Sequence, residues 1–282
     1  MYFPASLKTI ENEIPVMETY QARDGESLSY RKYPSAKTDK VMICLHGSGS
    51  HGAYLHPLAQ YLSKEVGTVF VPNLRGHFGS GEVRGDCAYV GQLEDDIADL
   101  IEAFALQNKE IFLLGHSSGG GLAIRLAGSS YADQFDGYVL LAPAIPGTST
   151  MRKKGSWAEV SLFKSISLSI LNGFGVTRFN HVPVVRFNMP EVFQDGTETL
   201  SYTFNLNTSF HPRLPGYQDD IQGLNHRYIL IVGEEDELMD PYAYQEILDP
   251  KCIEILKGEK HLTLTRNGEV MKRIAQWIQE EN

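Results

Sequence analysis

Cysteine and long apolar runs are both scarce in this chain. It has three cysteines in 282 residues, too few for a disulfide framework, and Cys44 and Cys252 lie in apolar runs typical of buried strands. No window approaches the roughly 18 consecutive apolar residues of a membrane-spanning helix. The first twenty residues lack the basic and apolar segments of a secretory signal. These absences predict a protein of a reducing, cytoplasmic compartment without stable membrane insertion.

The chain also has fewer basic than acidic residues. The chain has 25 lysines and arginines against 35 aspartates and glutamates, which gives a formal net charge of -10. Its basic residues form no stripe, and binding to nucleic acid depends on basic groups that neutralise phosphates. We therefore expect no nucleic-acid partner. No internal repeat with a period of about 20 to 50 residues occurs, which argues against a solenoid or a propeller.

Short apolar runs predict a largely parallel sheet. Most of them lack polar alternation, as strands covered on both faces do. The runs span 41–47, 68–74, 110–116, 137–144, 227–233 and 252–258. An Asp24-Gly25 turn predicts a hairpin before them, and an apolar helical period runs from Leu93 to Phe104. The acids at 94–96 are expected in a solvated first helical turn. Strands that alternate with helices predict a doubly wound α/β fold, a mostly parallel central sheet flanked by helices.

One segment, residues 146–216, interrupts this alternation. It contains no clear core strand, although a helical period of apolar residues occupies part of it. About 70 residues without secondary structure would be unusual inside a compact domain. We therefore predict an inserted cap over 146–216, between two parts of one α/β core at 1–145 and 217–282.

The segment Gly115-His116-Ser117-Ser118-Gly119 matches Gly-x-Ser-x-Gly, in which a serine occupies a sharp turn between a strand and a helix. The bare pattern also arises by chance, and a glycine-rich turn with inert serines is the alternative interpretation. Here the pattern follows the apolar run IFLL and opens the helical run GLAIRLAG. This context favours Ser117 as a nucleophile.

A serine nucleophile needs a base, and that base needs a group that orients it. Asp236 follows the run at 227–233, and His261 follows the run at 252–258. Both are therefore expected at the carboxyl edge of the sheet, beside Ser117. The order Ser, Asp, His along the chain is that of α/β-hydrolases. The rival carboxylates in the first loop are Glu234, Glu235, Glu237 and Asp240.

The reaction also needs N–H donors for the oxyanion that forms on the substrate. The N–H of Ser118 directly follows the nucleophile, and the loop HGSGSHGAY offers the N–H of Ser48. The same loop raises the possibility of a metal site at His46, His51 and His56. Spacings of five and five match no zinc pattern, so we predict neither a metal nor a cofactor.

Several motifs together resemble the α/β-hydrolase superfamily, in particular the branch of monoacylglycerol lipases, lysophospholipases and other serine hydrolases of the S33 aminopeptidase type. The resemblance covers most of the chain outside 146–216. It is carried by HGSGSHGAY, PNLRGHFGSG, LEDDIADLIEAF, LGHSSGG, LLAPA, IVGEEDELMDP and KHL.

This resemblance implies roles for five residues. It gives the nucleophile, the acid, the base and the two oxyanion amides as Ser117, Asp236, His261, Ser48 and Ser118. The sequence departs from the family pattern in one loop. Family members commonly have Arg-Gly-His-Gly-x-Ser, whereas here Phe78 stands before Gly79-Ser80, and Asn73 replaces a frequent Asp.

Together these features predict a cofactor-independent serine hydrolase that cleaves a small-molecule carboxylic ester with a moderately apolar acyl group, through an acyl-enzyme intermediate. Acyltransferases, thioesterases, amidases and peptidases use the same constellation. A catalytically silent ligand-binding homologue is an alternative from another class. The helical period in the cap offers four residues for an acyl pocket, although such residues also commonly pack a cap onto its core. They are Phe163, Ile166, Ile170 and Phe174.

Overall fold

The computed structural model describes residues 14–37, 39–152, 157–189, 191 and 194–280. In chain order the strands are β1 (Glu18–Gln21), β2 (Ser27–Tyr33), β3 (Lys40–Leu45), β4 (Thr68–Pro72), β5 (Glu110–His116), β6 (Gly137–Leu141), β7 (Ala158–Val160), β8 (Pro183–Phe187), β9 (Ser201–Thr203), β10 (Tyr228–Gly233) and β11 (Ile253–Leu256). The helices are α1 (His56–Glu65), α2 (Gln92–Ala103), α3 (Ser118–Ala127), α4 (Leu162–Gly173), α5 (Phe204–Ser209), α6 (Tyr217–Gly223) and α7 (Gly268–Glu280).

Eight of the strands form one sheet in the order β1-β2-β4-β3-β5-β6-β10-β11. β2 pairs antiparallel with both β1 and β4, and the six strands from β4 to β11 along the sheet are parallel to one another. The six apolar runs of the sequence supply these parallel strands. The predicted hairpin is present, and Gly25 has the positive φ of 85° that its turn requires.

Helices pack on both faces of this sheet. The connection from β3 through α1 leads to β4 on one side of β3, whereas the connection from β5 through α3 leads to β6 in the opposite direction. Because such crossovers are right-handed, the two helices lie on opposite faces. α7 packs with α1, and α2 and α6 pack with α3. The mostly parallel sheet with flanking helices was predicted from the sequence and is confirmed.

The acids at the start of α2 are not solvated, which corrects the expectation from the sequence. Glu94 and Asp96 are buried. Arg125 Nε donates to Glu94 Oε1 at 2.6 Å, and Arg75 Nη2 donates to Asp96 Oδ1 at 2.8 Å. A buried carboxylate needs such a partner. The sequence pattern of the helix cannot reveal these arginines, because they come from distant parts of the chain.

A second, three-stranded antiparallel sheet lies within residues 146–216, in the order β7-β8-β9. Its strands are three to five residues long, too short to produce a clear alternation in the sequence. In the described part of 146–216, no strand joins the main sheet. α4 and α5 accompany the small sheet, and α4 contacts β8.

None of the three cysteines, all of which lie in the described part of the chain, forms a disulfide. Cys44 and Cys87 are buried and Cys252 is partly buried. Among the described residues, no helix combines the length and the apolar character needed to cross a bilayer.

Candidate active site

Ser117 lies between the end of β5 and the start of α3, at the carboxyl edge of the main sheet. Its φ of 56° and ψ of -121° fall in a region that side chains disfavour. The turn is this tight because two glycines meet: a Cβ on Gly115 would lie 2.2 Å from the Gly119 oxygen. The Ser117 oxygen accepts N–H bonds from Gly121 at 3.1 Å and Ala144 at 2.9 Å. These contacts hold the strained backbone in place.

Asp236 and His261 are brought together from the loops that follow β10 and β11. Asp236 Oδ2 lies 2.8 Å from His261 Nδ1, and both side chains are buried. The second carboxylate oxygen, Oδ1, accepts N–H bonds from Leu238 and Met239, each at 2.8 Å. The two N–H bonds hold the carboxylate in place, and the carboxylate in turn orients the imidazole.

The protonation state of Asp236 follows from the same contacts. Burial alone would raise its pKa, but the hydrogen bond and charge of His261 and the two backbone N–H donors outweigh burial and hold the pKa below its usual value. An ionised carboxylate only accepts hydrogen bonds, so His261 Nδ1 carries the proton that joins the pair. When the imidazole is neutral with its proton on Nδ1, Nε2 of His261 is the nitrogen that accepts a hydrogen bond.

A supporting pair, Tyr54 and His116, was not predicted from the sequence. His116 Nε2 donates to the backbone oxygen of His261 at 3.0 Å, and His116 Nδ1 accepts from the Tyr54 hydroxyl at 2.8 Å. Burial and the neighbouring His261 lower the pKa of His116 to about 3, so its ring is neutral. His116 is part of the serine motif, but its partner lies 62 positions away along the chain.

The two residues predicted to bind the oxyanion lie side by side. Ser48 Oγ is 2.6 Å from Ser118 Oγ. The amides on either side of Ser48 are occupied, because Gly47 N–H donates to Tyr54 Oη at 2.7 Å and Gly49 N–H donates to Tyr202 Oη at 2.8 Å. Within the described residues, the N–H groups of Ser48 and Ser118 have no acceptor. Both amides are thus free to bind a ligand.

Tyr202 also contacts a second loop of the core. It is fully buried in β9, and its hydroxyl lies 2.6 Å from His77 Nε2. His77 Nδ1 is 3.1 Å from the backbone oxygens of Leu74 and Arg75 and donates there, so Nε2 accepts the Tyr202 proton. Burial lowers the pKa of His77 to about 4 and keeps its ring neutral.

A cavity of about 360 Å³ joins these parts. Ser117, His261, Ser48 and Ser118 all lie in its wall. The rest of the lining is mostly apolar, and much of it comes from the region of the small sheet. Its larger apolar side chains are Met151, Trp157, Val160, Val185, Phe187, Met189, Leu238, Met239 and Leu262.

The four residues expected to form an acyl pocket lie elsewhere, which corrects that expectation. Phe163 and Phe174 are 83% and 82% exposed, and Ile166 and Ile170 are more than half exposed. None of them lines the cavity. A helical period shows that apolar residues share one face of α4, but it does not show in which direction that face points. The cavity is lined from β7 and β8 instead.

The histidines of the loop after β3 have separate partners. His46 Nε2 accepts the Leu74 N–H at 3.0 Å, and His56 Nδ1 lies 3.1 Å from the Tyr33 hydroxyl. Among the described residues, three potential metal ligands meet at another place, namely His226, Asp249 and Cys252. These precede β10 and β11 and therefore lie at the edge of the sheet opposite the cavity.

The chain was compared with known proteins. A family model described as serine aminopeptidase, S33, matches residues 36–262. Human monoglyceride lipase is 30% identical over 258 residues, which cover 85% of this chain and 81% of the human protein. Protein phosphatase methylesterase 1 of Candida albicans is 25% identical over 261 residues, which cover 90% of this chain and 69% of that protein.

Solved structures share the fold. A soluble variant of monoglyceride lipase from Saccharomyces cerevisiae superposes with a TM-score of 0.69 at 16% identity and covers 97% of each chain. Monoacylglycerol lipase from Paleococcus ferrophilus gives a TM-score of 0.65 at 20% identity, over 90% of this chain and 99% of the other. The protein therefore belongs to the serine aminopeptidase S33 family of α/β-hydrolases, in the lipase-like and esterase-like branch that contains the monoglyceride lipases.

Proposed function

We propose that this hydrolase is a serine esterase that cleaves carboxylic esters through an acyl-enzyme intermediate. One observation carries the proposal: Ser117, on a strained turn, and His261, which is hydrogen-bonded to Asp236, lie in the wall of the same mainly apolar cavity. A serine hydroxyl is a weak nucleophile until a base removes its proton, and this cavity holds both groups.

The reaction follows from the roles of these groups. Ser117 Oγ attacks the ester carbonyl while His261 Nε2 accepts its proton, and Asp236 stabilises the imidazolium and fixes its orientation. The N–H groups of Ser48 and Ser118 bind the oxyanion. His261 then protonates the leaving alcohol. Water then attacks the carbonyl of the acyl-enzyme while His261 accepts its proton. His261 returns a proton to Ser117 Oγ as the carboxylic acid leaves, which restores Ser117.

The cavity wall also supports a division of the chain and a class of substrate. We propose that residues 146–216 form a cap on a core made of 1–145 and 217–282. In this division Trp157, Val185 and Phe187 bring apolar cap surface to the cavity, which suits a moderately apolar acyl group. The human monoglyceride lipase and the Candida methylesterase both carry names of ester-cleaving enzymes.

Ester cleavage is favoured over aminopeptidase action by the charge of the lining. An aminopeptidase binds the ammonium group at the start of a peptide, and a carboxylate is the usual partner for such a buried cation. Among the described residues that line the cavity, none is acidic. The cavity therefore suits a substrate without an ammonium group.

The proposal is tested with a fluorophosphonate probe and a series of p-nitrophenyl esters of increasing acyl length. We expect the probe to label Ser117 and the esters to be turned over, with the highest kcat/KM at an intermediate acyl length. Peptide mass spectrometry locates the label. Labelling without turnover of any ester would rule out the esterase and direct the search to thioesters, amides or acyl acceptors. Absence of labelling would favour a silent binding protein.

The position of the acyl pocket gives a second prediction. Phe187→Leu enlarges the cavity and should move the preferred acyl length upward, with the ratio of kcat/KM for long and short esters changing about tenfold. Phe163→Leu is the matched control, because the same substitution is made on the exposed face of α4. It should leave the ratio unchanged. An equal change in both variants would show that the acyl group does not bind beside Phe187.

A further inference from the structure

The cavity has a charge opposite to that of the protein. The chain has ten more acidic than basic residues, yet the described lining contains no aspartate or glutamate and two arginines, Arg152 and Arg266. Two histidines of the lining add little charge, because burial lowers the pKa of His116 to about 3 and that of His211 to about 4. The fixed charge of the wall is therefore positive.

Arg266 is placed by the segment that carries the proposed base. It follows His261 by five residues, after a short 3₁₀ turn over Thr263–Thr265, and its N–H donates to the Thr263 oxygen at 3.0 Å. The side chain is half-buried. Burial lowers the pKa of Arg266, and no described carboxylate raises it again. Its guanidinium is partly desolvated and has no ion partner among the described residues, which is an unfavourable state that an anionic ligand would relieve.

Arg152 is held by the loop that follows Asp236. Its backbone N–H donates to the Leu238 oxygen at 2.9 Å, and its side-chain Nε donates to the Met239 oxygen at 2.8 Å. These bonds leave both terminal nitrogens of the guanidinium for other partners. Among the described residues, Arg152 forms no ion pair.

The two arginines that are buried among the described residues, Arg75 and Arg125, are neutralised by carboxylates. Arg75 contacts Asp24, Glu26 and Asp96, and Arg125 contacts Glu94. Arg31 is desolvated without a carboxylate, as Arg266 is, but it does not line the cavity. The two buried arginines thus have carboxylate partners, whereas the two arginines of the cavity lining have none among the described residues.

We infer that the substrate carries one anionic group on its apolar skeleton, and that Arg266, assisted by Arg152, binds this group. The inference rests on the proposed esterase function and names the substrate class for it. A guanidinium binds a carboxylate or a phosphate through two parallel N–H bonds. The apolar wall then holds the hydrocarbon part of the ester while the arginines fix the charged group.

The test compares pairs of esters that differ only in charge. On the acyl side, the mono-p-nitrophenyl ester of suberic acid is compared with its methyl-capped form. On the alcohol side, the octanoyl ester of 4-hydroxybenzoate is compared with that of 4-hydroxybenzamide, and monooctanoylglycerol phosphate with monooctanoylglycerol. We expect the anionic member of at least one pair to have the higher kcat/KM, by roughly ten- to hundredfold. The pair that responds locates the anion.

Variants at Arg266 test the residue itself. Arg266→Gln should remove most of the preference, mainly through KM, and Arg266→Lys should restore part of it because the charge returns without the fork geometry. Arg178→Gln is the matched control: Arg178 is exposed beside Phe179 and does not line the cavity. The preference should persist in this control. High salt should reduce the preference of the wild-type protein for the anionic ester. It should do so by less than it reduces the energy of a contact between exposed charges, because salt screens partly buried charges less.

Two results would overturn the inference while leaving the esterase intact: equal kcat/KM within every pair, or a preference that survives Arg266→Gln. Loss of the esterase function has a different result, namely no turnover of any ester and no probe label on Ser117. Binding of octanoate and octanamide, measured by calorimetry, supplies a readout that needs no turnover. Tighter binding of octanoate that is lost in Arg266→Gln supports the anion site, and equal affinities contradict it.

Discussion

Ser117→Ala is expected to lower kcat for an activated ester by roughly 10⁴- to 10⁶-fold and to leave the fold intact. The substitution removes the oxygen that is proposed to form the acyl bond. It retains a Cβ at the same backbone position, so the unfavourable φ of 56° is neither relieved nor made worse. The residual rate would come from the oxyanion amides and from binding alone.

The measurement is burst acylation by a p-nitrophenyl ester, with thermal unfolding of the same sample to verify the fold. Ser169→Ala is the matched control, because Ser169 lies in α4 and only donates to the Ser165 oxygen at 2.9 Å. It should retain full activity. A burst that persists in Ser117→Ala with unchanged amplitude would show that another residue is the nucleophile.

Acidification is expected to remove several kcal/mol of stability between pH 7 and pH 5. Burial lowers the pKa values of His46 and His51 and of three further histidines, His77 and His211 to about 4 and His116 to about 3. In the unfolded chain a histidine titrates near pH 6.5, so below that pH the unfolded state binds more protons. The stability that these residues contribute is fully present above about pH 6.5 and is lost as the pH falls toward about 4.

The sizes of the opposing contributions to the free energy of unfolding decide whether acid stabilises or destabilises the protein. Each of the three histidines removes about 2 kcal/mol by pH 5. Asp96 opposes them, because burial raises its pKa to about 6 and protonation then favours the folded state by about 1 kcal/mol. Burial also raises the pKa values of Glu94 and Asp220. The free energy lost through the histidines still exceeds these opposing contributions. In total it is comparable with the whole free energy of unfolding of a typical protein.

Urea unfolding at pH 7, 6 and 5 measures this loss, with the slope of free energy against pH giving the number of protons taken up on unfolding. His226→Gln is a suitable control, since His226 is 76% exposed and should not alter the slope appreciably. A free energy of unfolding that is constant from pH 7 to pH 5 would show that these rings are not held neutral by burial.

The sequence could predict those features that depend on local pattern. The glycines around Ser117 and the strand before them indicated the tight turn. The positions of Asp236 and His261 at the ends of apolar runs placed them at the same edge of the sheet.

Features that depend on distant partners could not be predicted in this way. The burial of Glu94 becomes clear only when Arg125 is placed against it, and the support of His261 by His116 requires Tyr54. The direction of Phe163 depends on how α4 sits on the small sheet. Each of these needs a tertiary contact that no local spacing records.

Tyr202 restrains the movement of β9 relative to the cavity. Its hydroxyl accepts the Gly49 N–H and donates to His77, so one buried side chain of β9 ties the small sheet to two loops of the core. Gly49 directly follows Ser48, whose amide is proposed to bind the oxyanion. Lifting β9 would break both bonds and leave buried polar groups without partners, at a cost of about 1 to 3 kcal/mol each. We expect β9 to stay in place when the cavity widens. Any widening then takes place by hinging nearer to α4, and a substrate enters without moving the loop that contains Ser48.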